Sequence, residues 1–215
     1  MDDRKIRRDI LDELEYDPSL DAAQIGVAVE HGIATLSGHV ETYAQKLMAE
    51  LITQRVRGVR AVASEIEIRW PGHKRHADDE IAARALDIIS WDTALPDAAV
   101  DIKVHKGWIT LSGEVPWHFQ RQAAEDAVKK LGGVAGVVNV LEVKPKANVV
   151  DVKHRIEAAL QRHALIEAAA VKVNVAHDKV TLEGDVHAWS ERQAAEQAAW
   201  SVPGVSLVEN HIRVR

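Results

Sequence analysis

The segment Thr35-Leu-Ser-Gly-His-Val40 occurs three times, in slightly changed form, in this chain of 215 residues. It returns as Thr110-Leu-Ser-Gly-Glu-Val115 and as Thr181-Leu-Glu-Gly-Asp-Val186, at offsets of 75 and 71 residues. Twenty residues after the glycine of each segment comes a Gly-Val pair, which begins at Gly58, Gly133 and Gly204. Equal internal spacing in three places indicates a tandem repeat of one structural unit.

The residues before each segment predict a helix and then a strand. Apolar side chains recur every four residues, which is typical of one buried helical stripe. These are Ile6, Ile10 and Leu14; Ile81, Ala85 and Ile89; and Val152, Ile156 and Leu160. Apolar and other residues then alternate, which predicts a half-buried strand. The inward positions are Ile25, Val27 and Val29; Val100, Ile102 and Val104; and Val171, Val173 and Val175.

The repeated segment itself predicts a second strand, reached through a tight turn in which Gly or Asp tolerates positive φ. The turns are His31-Gly32, Lys106-Gly107 and His177-Asp178. A second helix is predicted over Thr42–Val56, Trp117–Leu131 and Ala188–Val202, followed by the Gly-Val pair. A last strand is predicted over Val62–Ile68, Val137–Val143 and Val208–Val214.

The order α-β-β-α-β therefore predicts an α+β protein of three tandem modules. We call them repeat 1 (residues 1–69), repeat 2 (78–144) and repeat 3 (148–215). Short linkers with proline and basic residues, WPGHKRHA at 70–77 and KPKA at 144–147, separate them. A unit of this size buries only a small core, so we expect the repeats to pack on one another or the chain to self-associate.

Six glycines are predicted to be structural. They are Gly38, Gly58, Gly113, Gly133, Gly184 and Gly204. The Gly-Val glycines occupy the place of a helix C-cap. The glycines of the repeated segment fall on the inward face of the second strand, where we expect close approach of a helix to the sheet.

Composition narrows the classes of function. The chain has no cysteine and a net charge of −6, with no basic face of the kind that nucleic-acid binding requires. No apolar run approaches the ~20 residues of a membrane-spanning helix. The N-terminus enters an amphipathic helix without the apolar region of a secretory signal, so we expect a cytoplasmic protein, peripheral at most to the inner membrane.

Several of the repeated residues resemble the BON domain, a module named for bacterial osmotically inducible and nodulation proteins. They are Leu111-Ser-Gly-Glu-Val115, Arg121-Gln-Ala-Ala-Glu125, Gly133-Val134 and Val137-Val-Asn139, with the same pattern in repeat 3. Repeat 1 departs from it, with Lys46-Leu-Met-Ala-Glu50 and with Ser64 in place of the asparagine. The resemblance implies a mixed three-stranded sheet covered on one face by two helices. It also implies roles in osmotic stress and phospholipid attachment, and in some members ion sensing, without catalytic residues.

No constellation of residues predicts an enzyme, a metal site or a cofactor. Glu50, Glu125 and Glu196 follow Lys46, Arg121 and Arg192 by four residues, which favours a solvated ion pair on the helix surface over an inter-repeat salt bridge. His73 and His76 share the spacing of two metal ligands, but no third ligand accompanies them.

The aromatic residues are the candidates for a binding surface. The entry to the second helix carries Tyr43 in repeat 1, Trp117 and Phe119 in repeat 2, and Trp189 in repeat 3. Tryptophan and tyrosine favour boundaries between water and apolar surroundings. Local or inter-repeat packing is the first interpretation, and a partner or membrane surface the second. Trp108 and Trp200 are further candidates for a contact between repeats.

The leading functional hypothesis is a non-enzymatic, stress-associated scaffold that binds a phospholipid membrane or protein partners through several weak contacts. Two alternatives remain. One is a sensor of a cation such as potassium, or of a small ligand, held by backbone carbonyls. The other is a self-assembling structural protein, a homo-oligomer.

Overall fold

The computed structural model describes residues 2–69, 77–96, 99–144, 151–162 and 171–215. The predicted order of elements is confirmed in each repeat. Repeat 1 contains α1 (Asp3–Tyr16), β1 (Ile25–Glu30), β2 (Ile33–Val40), α2 (Tyr43–Arg55) and β3 (Ala61–Ile68). Repeat 2 contains α3 (Asp78–Trp91), β4 (Val100–His105), β5 (Trp108–Val115), α4 (His118–Val128), β6 (Gly136–Asn139) and β7 (Glu142–Val143). Repeat 3 contains α5 (Val152–Arg162), β8 (Val171–Ala176), β9 (Lys179–Val186), α6 (Trp189–Trp200) and β10 (Leu207–Val214).

Each repeat forms a mixed sheet with the repeated segment as its middle strand. In repeat 1, β2 pairs antiparallel with β1, with Leu36 opposite Val27. On its other side β2 pairs parallel with β3, with Leu36 opposite Ser64. Repeat 3 has the same arrangement. In repeat 2 the last strand is split, so that β6 and β7 pair with successive parts of β5.

The apolar stripes form three separate clusters of buried residues, one within each repeat. Ile6, Ile10 and Leu14 of α1 are buried, as the four-residue spacing predicts. They pack with the inward side chains of the sheet, among them Leu36. The architecture is therefore α+β in three modules, since each sheet is covered by its own two helices.

The hairpin turns are closed by positive φ at the first turn residue as well as at the glycine. His31 has φ +53° and Gly32 φ +77°. The Asp3 carboxylate accepts hydrogen bonds from both backbone N–H groups, at 2.8 and 3.0 Å. These bonds lower the pKa of Asp3 and tie the hairpin to the start of α1. In repeat 3 His177 takes φ +58° whereas Asp178 does not adopt positive φ, contrary to the prediction for Asp.

The six predicted glycines all have positive φ, between +86° and +140°. The close approach at Gly38 is real, but its partner is the single-turn 3₁₀ helix Ala22–Gln24 that leads into β1, and not one of the two long helices. A Cβ there would overlap the backbone carbonyl oxygen of Gln24, just before β1. A Cβ at Gly113 would overlap the Ala99 carbonyl oxygen in the same way. The absence of a side chain at these two glycines therefore leaves room for the backbone that leads into the neighbouring strand.

Candidate functional site

The charged residues shared by the second helices connect each helix to the last strand. In repeat 2 the Asn139 side chain donates to the Glu125 carboxylate at 3.1 Å and to the backbone oxygen of Arg121 at 2.8 Å. The Arg121 guanidinium donates to the backbone oxygen of Asn139 at 3.1 Å. Repeat 3 repeats this arrangement with Arg192, Glu196 and Asn210, whose Asn–Glu bond is 2.9 Å. The prediction of a solvated ion pair along the helix is therefore wrong, because the carboxylate binds the asparagine.

We call the hydrogen bonds that join the second helix of a repeat to its last strand the bracket. Repeat 1 lacks the asparagine and has fewer of these bonds. The Lys46 ammonium donates to the backbone oxygen of Ile66 at 3.0 Å. Ser64 stands where Asn139 and Asn210 stand, and its buried hydroxyl has no hydrogen-bond partner among the described residues. Its hydroxyl is attached directly to Cβ, without the amide group that reaches the second helix from Asn139 and Asn210.

We expect Asn139→Ala to lower the free energy of unfolding by about 1–3 kcal/mol, because it removes the donor to the Glu125 carboxylate and the acceptor of the Leu141 N–H group. Urea denaturation measures this change. Asn174→Ala is the matched control, since Asn174 makes a single exposed bond of 3.4 Å to Glu183. Equal losses for the two variants would show that the bracket contributes nothing specific.

Tyr43 begins α2 and lies against repeat 2. Its ring packs against the buried cluster of that repeat, and its hydroxyl forms a hydrogen bond with the backbone of Val137. Burial raises the pKa of Tyr43, and the carboxylates of Glu125 and Glu50 raise it further. We call this contact seam 1–2.

His118 begins α4 and lies against repeat 3. Its ring stacks on Trp200, with ring centroids 4.0 Å apart and planes at 11°. Burial lowers the pKa of His118, and the charge of Arg121 lowers it further. Trp200 packs against the buried clusters of both repeats. We call this contact seam 2–3.

Trp189 begins α6, and α6 contacts α2 of repeat 1. Trp189 and Arg60 of repeat 1 line one cleft between the two repeats. The Arg192 guanidinium lies 5.1 Å above the Trp189 ring. We call this contact seam 3–1. Since repeat 1 contacts repeat 2, repeat 2 contacts repeat 3 and repeat 3 contacts repeat 1, the three repeats close into a ring.

The three seams use one sequence position. Offsets of 75 and 71 relate Tyr43 to His118 and then to Trp189. Sequence reasoning matched Tyr43 with Trp117 and Phe119 and so missed His118, although the offset alone points to it. The second helix of each repeat therefore meets the next repeat in the same way, head to tail around a pseudo-threefold axis.

Trp117 and Phe119 lie outside the seams and remain exposed, by 42% and 58%. Trp91, at the end of α3, is 85% exposed. The Gln120 side chain donates to the Ala94 backbone oxygen at 2.8 Å, which holds the start of α4 against the loop that follows α3. The exposed aromatic residues thus share one end of repeat 2, and we call Trp91, Trp117 and Phe119 the aromatic end.

Trp108 lies at the opposite, hairpin end of repeat 2. Its ring covers Gly136, where a Cβ would overlap it, so it packs on its own sheet and is half exposed.

His73 and His76 lie outside the described residues. Within the described ranges, no three His, Asp or Glu side chains lie together as metal ligands would. No helix in those ranges combines the length and apolar character needed to span a bilayer.

A family model of the BON domain matches residues 2–69, 77–145 and 148–215. The osmotically-inducible protein Y of Escherichia coli strain K12 is 30% identical over 152 residues, which cover 67% of this chain and 74% of that protein.

Solved structures give weaker similarity. The C-terminal domain of CdsD, a structural protein of the type III secretion system of Chlamydia trachomatis, is 14% identical with a TM-score of 0.27, and the match covers 100% of both chains. The PrgH periplasmic domain is 12% identical with a TM-score of 0.25, over 95% of this chain and 99% of that one. Scores this low carry no argument about the fold. The triple match of the family model, on three modules of the same architecture, shows that this chain belongs to the BON-domain family.

Proposed function

We propose that this protein is a non-enzymatic, osmotic-stress-related scaffold that attaches peripherally to phospholipid surfaces through the aromatic end. The name of the Escherichia coli relative supports the link to osmotic stress. The observation that carries the attachment is the exposure of Trp91, Trp117 and Phe119 at one end of repeat 2. Tryptophan is enriched at membrane–water interfaces because its ring is apolar and its N–H is polar.

The charge of repeat 2 favours attachment by apolar burial over attachment by electrostatic attraction. Residues 78–144 contain eleven Asp and Glu against seven Lys and Arg, a net charge of −4. Anionic lipid therefore repels this repeat as a whole. The attraction comes from burial of apolar surface, worth about 1.5–3 kcal/mol for each large side chain that is fully buried. Attachment through the aromatic end should consequently be at least as strong on zwitterionic as on anionic lipid and depend little on salt.

Repeats 1 and 3 also present exposed side chains at the position that Trp91 occupies in repeat 2. The positions equivalent to Trp91 are Tyr16 in repeat 1 and Arg162 in repeat 3, and both are exposed. All three side chains stand at the last residue of the first helix of their repeat. Two interfacial aromatic residues and one cation then contribute together, and linked weak contacts raise the overall affinity.

We expect the double substitution Trp117→Ala and Phe119→Ala to weaken binding to phosphatidylcholine vesicles by about tenfold or more, from the lost apolar burial. Co-sedimentation with vesicles measures the partition. The control is the double substitution Ile33→Ala and Trp108→Ala, which removes exposed apolar side chains of similar size at the hairpin ends. Equal loss in both variants, or no sedimentation of the unchanged protein with any lipid, would contradict the proposal. Retained binding of a protein partner would then favour a protein scaffold.

A further inference from the structure

Seam 3–1 contains an open cleft of about 540 Å³. Its lining is Arg60 from repeat 1 and Trp189, Arg192, Ile212, Arg213, Val214 and Arg215 from repeat 3. Four of these seven residues are arginines. No carboxylate belongs to this lining in the part of the chain that the structure describes. We call it the arginine cleft.

The arginines are only partly neutralised. Asp185, beside the cleft, accepts hydrogen bonds from Arg213 Nη2 at 3.3 Å and from Arg215 Nε at 2.8 Å. One carboxylate thus serves two guanidinium groups. Arg60 forms no ion pair with any described residue. Positive charge is therefore in excess at this cleft, although the chain as a whole carries −6.

The wall of the cleft also contains two buried hydrogen-bond donors without acceptors among the described residues. Trp189 Nε1 and Arg192 Nε are buried and have no hydrogen-bond partner among the described residues. A buried donor without a partner costs about 1–3 kcal/mol, so native structures rarely contain two together. Both nitrogen atoms have almost no solvent-accessible surface. A ligand would contact the guanidinium groups of Arg60, Arg213 and Arg215 first, and would reach the covered donors only after a side-chain shift.

The equivalent cleft at seam 2–3 shows that this charge excess is not a by-product of the fold. It is lined by Arg121, Leu141, Glu142, Val143, Lys144, Asp178, Ser206 and Leu207. The repeat offsets place Glu142 where Arg213 stands and Ser206 where Arg60 stands. Two carboxylates there balance two cations, and Lys144 binds Glu114 and Glu142 as well. The same groove is therefore charge-balanced at one seam and cationic at the other.

We propose that the arginine cleft binds a phosphate group. Guanidinium groups donate two parallel hydrogen bonds to phosphate oxygens, and such charge-assisted bonds are about twice as strong as neutral ones. A tetrahedral dianion accepts from several guanidinium groups at once. Because the cleft joins repeats 3 and 1, a bound phosphate would also hold the ring closed at its third seam.

The test uses inorganic phosphate and the full chain, by isothermal titration calorimetry at pH 7 with ionic strength held constant by chloride. We expect saturable binding that is weaker by about tenfold in Arg60→Ser and weaker still in the double variant Arg60→Ser and Arg213→Glu. These substitutions copy the residues of the balanced cleft. Arg84→Ser with Lys103→Glu makes the same change of charge at exposed sites of repeat 2 and should leave binding unchanged. No saturable binding, or equal weakening in this control, overturns the proposal.

A second measurement identifies the source of the phosphate. If it belongs to a lipid headgroup, phosphatidic acid in phosphatidylcholine vesicles increases sedimentation of the unchanged protein, and Arg60→Ser with Arg213→Glu removes the increase. If it is a free phosphate, the calorimetric binding occurs without that increase. The Trp117→Ala and Phe119→Ala variant should keep its phosphate binding, so failure of the aromatic end and failure of the cleft are distinguishable.

Discussion

Replacing Trp200 by alanine is expected to lower the free energy of unfolding by about 3 kcal/mol and to broaden the unfolding transition. Trp200 packs against two of the three buried clusters and stacks on His118. Truncation of a large aromatic side chain at such a site costs about 3–5 kcal/mol, and the partial exposure of Trp200 places the cost at the lower end. The broader transition follows because repeats 2 and 3 lose their main shared side chain and unfold less cooperatively.

Urea denaturation followed by circular dichroism gives both quantities, the free energy and its dependence on urea. Trp91→Ala is the matched control, because Trp91 also ends a helix but is 85% exposed. That variant should change the free energy of unfolding by no more than about 0.5 kcal/mol. If the two variants unfold alike, the stacking of His118 on Trp200 does not connect the repeats in solution.

Gly38→Ala is expected to destabilise repeat 1 by about 3 kcal/mol or more. The residue has φ +104°, where an L side chain is strained, and its Cβ would overlap the backbone oxygen of Gln24. Backbone strain of this kind costs about 1–3 kcal/mol by itself, and the overlap forces β1 away from β2. Thermal unfolding should therefore show an early transition for one third of the chain.

Gly26→Ala provides the comparison within the same sheet. Gly26 lies in β1 without positive φ. Its added Cβ would lie 2.7 Å from the Ser37 hydroxyl, which can rotate away, and at an ordinary contact distance of 3.9 Å from the Ser37 backbone oxygen. This substitution should be neutral or stabilise the protein by up to about 1 kcal/mol, because alanine reduces the entropy of the unfolded chain. Similar behaviour of the two variants would show that the strand entry at Gln24 does not restrict position 38.

The elements and the core of each repeat could be predicted because burial requires apolar side chains at regular spacing. Ile6, Ile10 and Leu14 mark α1 in this way, and the duplication supports each assignment three times. The bracket around Asn139 was only partly predictable. Its arginine, glutamate and asparagine are visible as shared positions, but a sequence does not show which strand residue faces a helix. The four-residue spacing therefore pointed to the wrong partner for Glu125.

The seams were harder to predict, since they depend on how whole repeats rotate against one another. The side chains at the common position are Tyr43, His118 and Trp189, three different types, so no shared motif marks them. The arginine cleft was hidden for a related reason. Arg60 lies more than 120 residues from the other arginines of the lining, and charge counted along the chain gives repeat 3 a net charge of −1, with no sign of a cationic site.

The head-to-tail seams also determine how many repeats are needed to form a closed assembly. An interface between two unlike faces closes only when the rotation from unit to unit divides a full circle, and otherwise it propagates as a filament. Here one polypeptide supplies all three units, so every donor face meets its acceptor face within the same molecule. A chain with two such units would leave one face of each kind unsatisfied and would have to recruit further copies. Triplication therefore makes this molecule self-sufficient and turns an open polymerising contact into an internal one.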